Sequence, residues 1–256
     1  MIDLHCHLLP GIDDGPQDMA GTLDMARAHL VAGVTTVAAT PHVDWNYANR
    51  PPRITEVAAA TRTALGEAEL GLEVVESGEI AMSLAIDLAD EELHALRLGG
   101  GDWILLECPL SPLAVGLDRI VPHLQERGYR ILLAHPERSP VIHKTPDLLV
   151  QLVADGALTQ LTAGSFTGQF GGAVRAFSLQ LASRGLVHTV ASDAHDTTTR
   201  VPGLREPLES AGLGAYVELW CETNPRAILD GADIPPSFLP PPVFEEPHKR
   251  RRLRLR

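Results

Sequence analysis

The sequence has few cysteines, few lysines and no long apolar run, and each shortage excludes a class of protein. Three cysteines in 256 residues are too few, and odd in number, for a disulfide framework. The only lysines, Lys144 and Lys249, lie away from predicted strand ends, which argues against a barrel hydrolase with a metal-bridging lysine. No signal peptide opens the chain, and no apolar run reaches the roughly 18 residues of a membrane span. We therefore expect a soluble, cytoplasmic protein with reduced thiols.

Three common catalytic motifs are also missing. A thiol phosphatase needs Cys-x5-Arg, but the sixth residues after the three cysteines are Ile12, Ala114 and Ala227. The chain has neither a Gly-x-Ser-x-Gly nucleophile elbow nor a Gly-x4-Gly-Lys phosphate loop. Hydrolysis by these routes is therefore not expected.

Charge and hydropathy predict an acidic globular body with a different tail. The formal net charge is −12 and 45% of the residues are hydrophobic, enough for a full core. An acidic body argues against general nucleic-acid binding. Residues 235–242 are rich in proline, and six basic side chains fall within 245–256. We predict one domain over 1–234 and a flexible tail over 235–256. The tail is expected to be solvated, with contact to an anionic membrane or to the acidic body as alternatives.

Short apolar runs alternate with amphipathic stretches that mostly end at glycine, which is typical of strands alternating with helices. The predicted strands cover 1–7, 35–40, 73–78, 103–107, 130–135, 158–163 and 187–192. The predicted helices cover 18–32, 54–69, 117–127, 146–155 and 173–184, with a short last helix starting at Asn224. This alternation predicts an α/β fold with parallel strands that close into a single β/α barrel.

Polar side chains recur where the predicted strands end, and in such a barrel these ends converge on one face. The candidates are His5, His7, Asp14, His42, Glu79, Glu107, His135, Asp193 and His195. Imidazoles mixed with carboxylates suit Zn, Mn or Fe rather than Ca or Mg alone. Nine donors exceed the four to six that one ion needs, so we predict two or three divalent ions, with a carboxylate such as Glu79 bridging two of them.

Three further assignments depend on neighbouring residues. Asp13 competes with Asp14 for the ligand role, and we favour Asp14. Arg138 and Arg200 follow predicted ligands, and beside a metal cluster a guanidinium suits bidentate binding of phosphate. The alternative for each arginine is a solvated loop charge. The remaining histidines are expected to be packing or surface residues: His29, His94, His123, His143, His188 and His248.

Together these motifs resemble the polymerase and histidinol phosphatase (PHP) superfamily. The matching segments are Ile2-Asp3-Leu4-His5-Cys6-His7, Asp14-Gly15-Pro16, Thr40-Pro41-His42, Glu79, Glu107, His135-Pro136-Glu137-Arg138 and Ser192-Asp193-Ala194-His195. The early Asp-Asp-Gly-Pro, the segment Thr162-Ala163-Gly164-Ser165 and the late Asn224-Pro225 are similar to the bacterial CpsB/CapC-type manganese-dependent tyrosine-protein phosphatases.

The resemblance implies a distorted seven-stranded TIM-like barrel with a trinuclear site. One ion would be held by His5, His7, Glu79 and Asp193, a second by Glu79, Glu107 and His135, and a third by Asp14, His42 and His195. Manganese is expected first, with iron or zinc as alternatives. Arg138 and Arg200 would bind the phosphate group.

The implied reaction is hydrolysis of phosphotyrosine by a metal-activated hydroxide, without a cysteine intermediate. The implied substrate is the phosphorylated tail of a bacterial tyrosine kinase that controls capsule or exopolysaccharide synthesis. A histidinol-phosphate or other small-molecule phosphatase of the same superfamily is one alternative. A catalytically inactive module that binds the kinase tail is another.

Overall fold

The computed structural model describes residues 1–234 and 242–243, and the predicted tail over 235–256 otherwise lies outside the described residues. The domain boundary at 234 therefore stays a prediction. In the described part, nine strands alternate with helices. The strands are β1 (Ile2–Cys6), β2 (Thr36–Ala39), β3 (His42–Val43), β4 (Glu73–Glu76), β5 (Glu79–Ala81), β6 (Trp103–Glu107), β7 (Arg130–Ala134), β8 (Leu158–Thr162) and β9 (Thr189–Ala191).

All seven predicted strands are present, but the second and third are each followed by a separate short segment. Every paired strand is parallel, in the orders β1-β2-β4 and β3-β5-β6-β7-β8-β9. Pro41 has no N–H for a sheet ladder, and it separates β2 from β3. The register nevertheless continues across the break, since Thr36 lies opposite Glu73 and His42 opposite Glu79.

The last strand returns to the first. A parallel bridge joins Cys6 to Ala194, the His7 N–H donates to the Ala194 carbonyl at 2.9 Å, and the Asp193 N–H donates to the His5 carbonyl at 2.9 Å. The seven strand positions thus form the distorted barrel that was predicted, and its distortion lies at the two broken strands.

Helices follow most of the strands and cover the outside of the barrel. They are α1 (Met19–Val31), α2 (Pro51–Glu67), α3 (Met82–Ala85), α4 (Asp90–Ala95), α5 (Leu117–Glu126), α6 (Pro140–Lys144), α7 (Pro146–Ala154), α8 (Ala163–Thr167), α9 (Gly172–Ser183), α10 (Arg205–Ser210) and α11 (Asn224–Leu229). The five long predicted helices are confirmed to within a few residues. The short last helix does begin at Asn224, but it continues a wider π-helical turn over Leu219–Thr223. Within the described residues, no helix is long and apolar enough to cross a membrane.

Helix α11 closes the end of the barrel where the strands begin. Its residues Ile228 and Leu229 share a buried cluster with Trp103, Leu105 and Leu132 from the strands. The chain before β6 passes so close to the turn that follows this helix that a Cβ on Gly101 would lie 2.4 Å from the Gly231 Cα. One end of the barrel is thereby filled with apolar side chains, and the opposite end is free to carry polar ones.

We expect Gly101→Ala to lower the free energy of unfolding by about 1–3 kcal/mol, because a methyl group there forces away the backbone at Gly231, just after α11. Gly66→Ala is the matched control: Gly66 lies inside α2 with no atom within 4 Å of its added Cβ. That change should stabilise the protein by about 0.5–1 kcal/mol. Urea denaturation of both variants measures the two shifts, and equal stability of Gly101→Ala and wild type would contradict the tight approach.

Candidate metal centre

All nine predicted ligand residues come together at one end of the barrel, with His42 and Glu79 at the starts of the short strands β3 and β5 and Asp14 on the loop after β1. They fall into four overlapping groups whose ligand atoms lie within 4.8 Å of one another. The groups are His7 with Asp14, His42 and His195; His5 with His7 and Asp193; His5 with Glu79 and His135; and His42 with Glu79 and Glu107. The overlap of the groups makes one continuous cluster at the mouth of the barrel.

The first set of donors has the spacing of a coordination shell. His5 Nε2 and His7 Nε2 are 3.3 Å apart. Glu79 Oε2 and Asp193 Oδ1 each lie 3.4 Å from the His5 nitrogen and 3.5 Å from the His7 nitrogen. Donor atoms about 2.1 Å from a tetrahedral ion lie about 3.4 Å from one another. The four atoms are therefore arranged as an ion between them would require.

A bulge in β1 turns His5, and His7 just after the strand, toward the space between these four atoms. Three steps along β1, from Asp3 to Cys6, match two steps along β2. Leu4 joins the apolar cluster inside the barrel, and His5 still turns inward, where its Nδ1 lies 2.8 Å from Gln160 Oε1 on β8. Because Nδ1–H donates to this amide oxygen, Nε2 is the nitrogen left for an ion. Gln160 is not among the predicted site residues, and its only signal in the sequence is a long polar side chain within a predicted buried strand.

Asp13 and Asp14 have different roles in the cluster. Asp13 is buried, and its Oδ2 accepts hydrogen bonds from His7 Nδ1 at 2.8 Å and from the His42 N–H at 3.1 Å. Its Oδ1 accepts from the Gly15 N–H at 3.0 Å. A Cβ on Gly15 would lie 2.3 Å from the His7 carbonyl oxygen, so only glycine fits this turn. Asp13 therefore holds other site residues in place, as carboxylates behind metal-bound histidines do.

Asp14 instead presents one oxygen to two imidazoles. Its Oδ1 lies 3.4 Å from His42 Nε2 and 3.3 Å from His195 Nε2. These three atoms repeat the spacing of the first set, and Asp14 is more exposed than the other carboxylates around it. Asp14, and not Asp13, therefore presents a carboxylate oxygen to the imidazoles of the cluster, and its role as a metal ligand stays a prediction.

Glu79 lies at the centre of the cluster and is fully buried. Its Oε1 lies 2.8 Å from His135 Nε2. Its Oε2 lies 3.0 Å from His42 Nδ1, yet it makes no hydrogen bond to any described residue. A buried carboxylate oxygen without a donor is costly, and a cation among the surrounding nitrogens would satisfy it. The donors present therefore fit a group of divalent transition-metal ions.

Two ligand candidates have backbones that non-glycine residues rarely adopt. His135, which directly follows β7, has a φ of 35°, and Asp193, two residues after the end of β9, has a φ of 52°. Such conformations cost free energy, and they cluster at functional sites where the surrounding structure holds them. The positive φ turns each side chain back over the mouth of the barrel.

Both predicted arginines bind the same carboxylate. Arg138 Nη1 donates to Asp193 Oδ2 at 2.5 Å, and Arg200 Nη2 donates to the same oxygen. Arg200 Nη1 also lies 2.8 Å from His195 Nε2, and the Arg138 guanidinium stacks on the ring of Phe170. Each arginine therefore lies beside the cluster, partly exposed and with a fixed orientation.

Histidines outside the strand-end pattern do not join the cluster. His29 is buried between α1 and β1, where its Nε2 lies 3.2 Å from Cys6 Sγ. Burial lowers the pKa of His29 to about 3. His188 Nδ1 accepts from the Thr159 N–H, and His143 packs on Phe177. His94 and His123 are exposed. His248 lies outside the described residues, so its assignment stays a prediction.

Comparison with known proteins identifies the family. The family model for capsular polysaccharide synthesis proteins CpsB/CapC matches residues 1–229. The chain belongs to the CpsB/CapC family. The family resemblance drawn from the motifs is confirmed.

Relatives of the CpsB/CapC family match the chain over nearly its full length. Tyrosine-protein phosphatase YwqE of Bacillus subtilis is 37% identical over 99% of this chain and 98% of its own. CapC of Staphylococcus aureus is 31% identical over 85% of this chain and 86% of its own. A crystal structure from work on YwqE of Bacillus subtilis and CpsB of Streptococcus pneumoniae, described as metal-dependent tyrosine phosphatases, superposes with a TM-score of 0.80. It is 33% identical and covers 95% of this chain and 100% of its own.

We expect Asp13→Asn to weaken the binding of a divalent ion about 10–100-fold. An amide cannot accept at both oxygen positions, so the bond to His7 Nδ1 or the bond to Gly15 N–H is lost. Metal content after dialysis against a fixed free Mn²⁺ concentration measures the effect. Asp24→Asn, which changes an exposed aspartate on α1, is the control and should keep the wild-type metal content. Unchanged affinity in Asp13→Asn would contradict the holding role.

Metal uptake should release protons and strengthen with rising pH. Burial works to lower the pKa of His42, but the carboxylates of Asp14 and Glu79, which face its two ring nitrogens, outweigh it and raise that pKa to about 10. Burial, and then the charge of Glu79, raise the pKa of Glu107 to about 7. Both groups must lose a proton to bind an ion, so affinity should increase as pH rises between about 7 and 10.

Titration calorimetry of the metal-free protein in two buffers of different ionisation enthalpy counts the released protons. His135 contributes none, because burial lowers its pKa to about 4 and it is already neutral. Affinity that does not change with pH over this range would contradict the assignment of His42 and Glu107.

Proposed function

We propose that the protein is a metal-dependent phosphomonoesterase that hydrolyses phosphotyrosine. The observation that carries this proposal is the joint position of nine imidazole and carboxylate donors and two arginines at one barrel mouth. The names of the relatives support the same activity, because YwqE is a tyrosine-protein phosphatase. Fold similarity alone would not support it, since one barrel hosts many chemistries.

The site is proposed to hold two or three ions, manganese first, with iron or zinc as alternatives. His5, His7, Glu79 and Asp193 would hold one ion, and Asp14, His42 and His195 another. Glu79, Glu107 and His135 would hold the remaining ion, with Glu79 shared between two. When bound, such ions supply Lewis acidity to phosphate oxygens and lower the pKa of water.

The protein's own contribution is to bind and orient the phosphate. Arg138 and Arg200 present planar guanidinium groups at the edge of the cluster, where they would pair with the phosphoryl oxygens of a dianionic ester. Asp193 Oδ2 holds both groups in this position in the absence of substrate. The phosphate would take the place of the Asp193 carboxylate as the partner of both arginines, so their side chains would move little when it binds.

Hydrolysis is proposed to proceed without a cysteine intermediate. Cys6, Cys108 and Cys221 are buried, and burial raises the pKa of each thiol. A neutral, buried thiol is a poor nucleophile. Cys6 lies between two proposed ligands in sequence, but its side chain points to His29 on the other side of β1.

The proposed substrate is the phosphotyrosine tail of a bacterial tyrosine kinase that regulates capsule or exopolysaccharide synthesis. The family description, capsular polysaccharide synthesis, supports this assignment. A cytoplasmic location is proposed with it, in keeping with three free thiols.

We expect His42→Ala to lose both metal and activity, because His42 Nδ1 and Nε2 face two carboxylates of the cluster. The Mn-loaded wild type should cleave a phosphotyrosine peptide with a higher kcat/KM than histidinol phosphate. His123→Ala, which alters an exposed histidine on α5, should keep wild-type metal content and activity. Inductively coupled plasma analysis and phosphate release measure the two properties.

Each other outcome of this experiment selects a different function. Faster cleavage of histidinol phosphate would make the protein a small-molecule phosphatase. Binding of a kinase-tail peptide without cleavage of either substrate would make it a regulatory binding module. A well-folded wild type that takes up no metal would overturn the metal-dependent reaction itself.

A further inference from the structure

The turn that follows β3 exposes two large aromatic side chains at the mouth of the barrel. Trp45 is 62% exposed and Tyr47 is 39% exposed. The other two tryptophans, Trp103 and Trp220, are 1% and 3% exposed. In a chain with only 4% aromatic residues, an exposed tryptophan beside a tyrosine is unusual, and such apolar surface often marks a binding site.

Hydrogen bonds hold this turn in a fixed conformation. Asp44 Oδ1 accepts from the backbone N–H groups of Asn46 and Tyr47, both at 2.8 Å. Ala48 has a φ of 50°. Asn49 is buried, and its amide donates to the carbonyl of Ile12 at 2.9 Å and to that of His42 at 2.8 Å. The turn is thus tied to the segments that carry Asp14 and His42, and the rings are displayed by a built structure.

The aromatic surface begins at the edge of the metal centre. The ring of Tyr47 lies parallel to that of His42, with centroids 5.6 Å apart and an angle of 6° between the planes. The two nitrogens of His42 face Glu79 and Asp14. An ester substituent that leaves the cluster on the His42 side would therefore meet Tyr47, and Trp45 lies two residues before it on the same turn.

We propose that Trp45 and Tyr47 receive the phenyl ring of the substrate and so determine specificity for aryl over alkyl phosphates. This inference rests on the proposed function and adds the residues that select its substrate class. Aromatic rings associate through offset or edge-to-face contacts, and burial of an aryl group here would cover surface that is exposed in the free protein. A phosphoserine side chain has no ring to fill this position.

Binding of two phosphonates tests the proposal without the unequal reactivity of aryl and alkyl esters. Phenylphosphonate and methylphosphonate share the anionic group and are not hydrolysed. The Mn-loaded wild type should bind phenylphosphonate about tenfold more tightly, as expected from two aromatic contacts. In the double variant Trp45→Ala, Tyr47→Ala this preference should disappear, with the Kd of methylphosphonate unchanged. Titration calorimetry gives the four dissociation constants.

Two further variants separate ring recognition from support of His42. Trp45→Ala leaves Tyr47 against His42, so it should lose part of the phenyl preference with full metal content. Val31→Ala changes another exposed apolar residue, at the end of α1 and on the far side of the barrel from the mouth, and should keep the full preference.

The results distinguish failure of this inference from failure of the proposed function. A wild type that binds neither phosphonate would overturn the proposed function. Binding of both, with the phenyl preference retained in the double variant, would overturn only the inference. Equal weakening of both phosphonates in the double variant and none in Trp45→Ala would also overturn it, since Tyr47 would then act only by supporting His42.

Discussion

The site depends on one buried carboxylate, that of Asp193, which is shared between metal-ligand candidates and arginines. One of its oxygens faces the two histidines of β1, and the other accepts from Arg138 and Arg200. A buried carboxylate needs such partners, because an unpaired charge in the interior is costly. The chain segments that carry His5, Arg138 and Arg200 therefore have to meet at Asp193. Its left-handed backbone turns the carboxylate toward all three.

Because one carboxylate contacts both the histidines and the arginines, it balances their charges and also fixes their positions. Loss of the Asp193 side chain would leave two guanidinium groups beside five imidazoles with one negative charge fewer to balance them. The surrounding second layer, with Asp13 behind His7 and Gln160 behind His5, fixes which ring nitrogen faces the cluster. The protein thus presets tautomers and ring positions before any ion binds, which reduces the reorganisation that binding requires.

The strand ends and ligand residue types were predictable from sequence because parallel strands in a barrel all end on one face. Glycine after the last turn of four long helices likewise allowed the ends of those helices to be predicted. The return of strand pairing at His42 after Pro41 and the bulge in β1 were not predictable, since both depend on the neighbouring strands. Gln160 and the role of Asp13 were missed for a related reason: residues behind a ligand are recognised only when the hydrogen bond to it is seen. The exposed turn with Trp45 and Tyr47 depends on Asn49, whose partners are distant in sequence.

The junction between β9 and β1 has a consequence for how the protein is made. His5 and His7 leave the ribosome first among the site residues, whereas Asp193 and His195 emerge almost 190 residues later. Until then, the nascent chain carries His5 and His7 without the carboxylate and the backbone hydrogen bonds that complete the mouth. The complete site can therefore assemble only after His195 has been synthesised. A chain that is cut short before Asp193 lacks a complete site, whatever the metal supply.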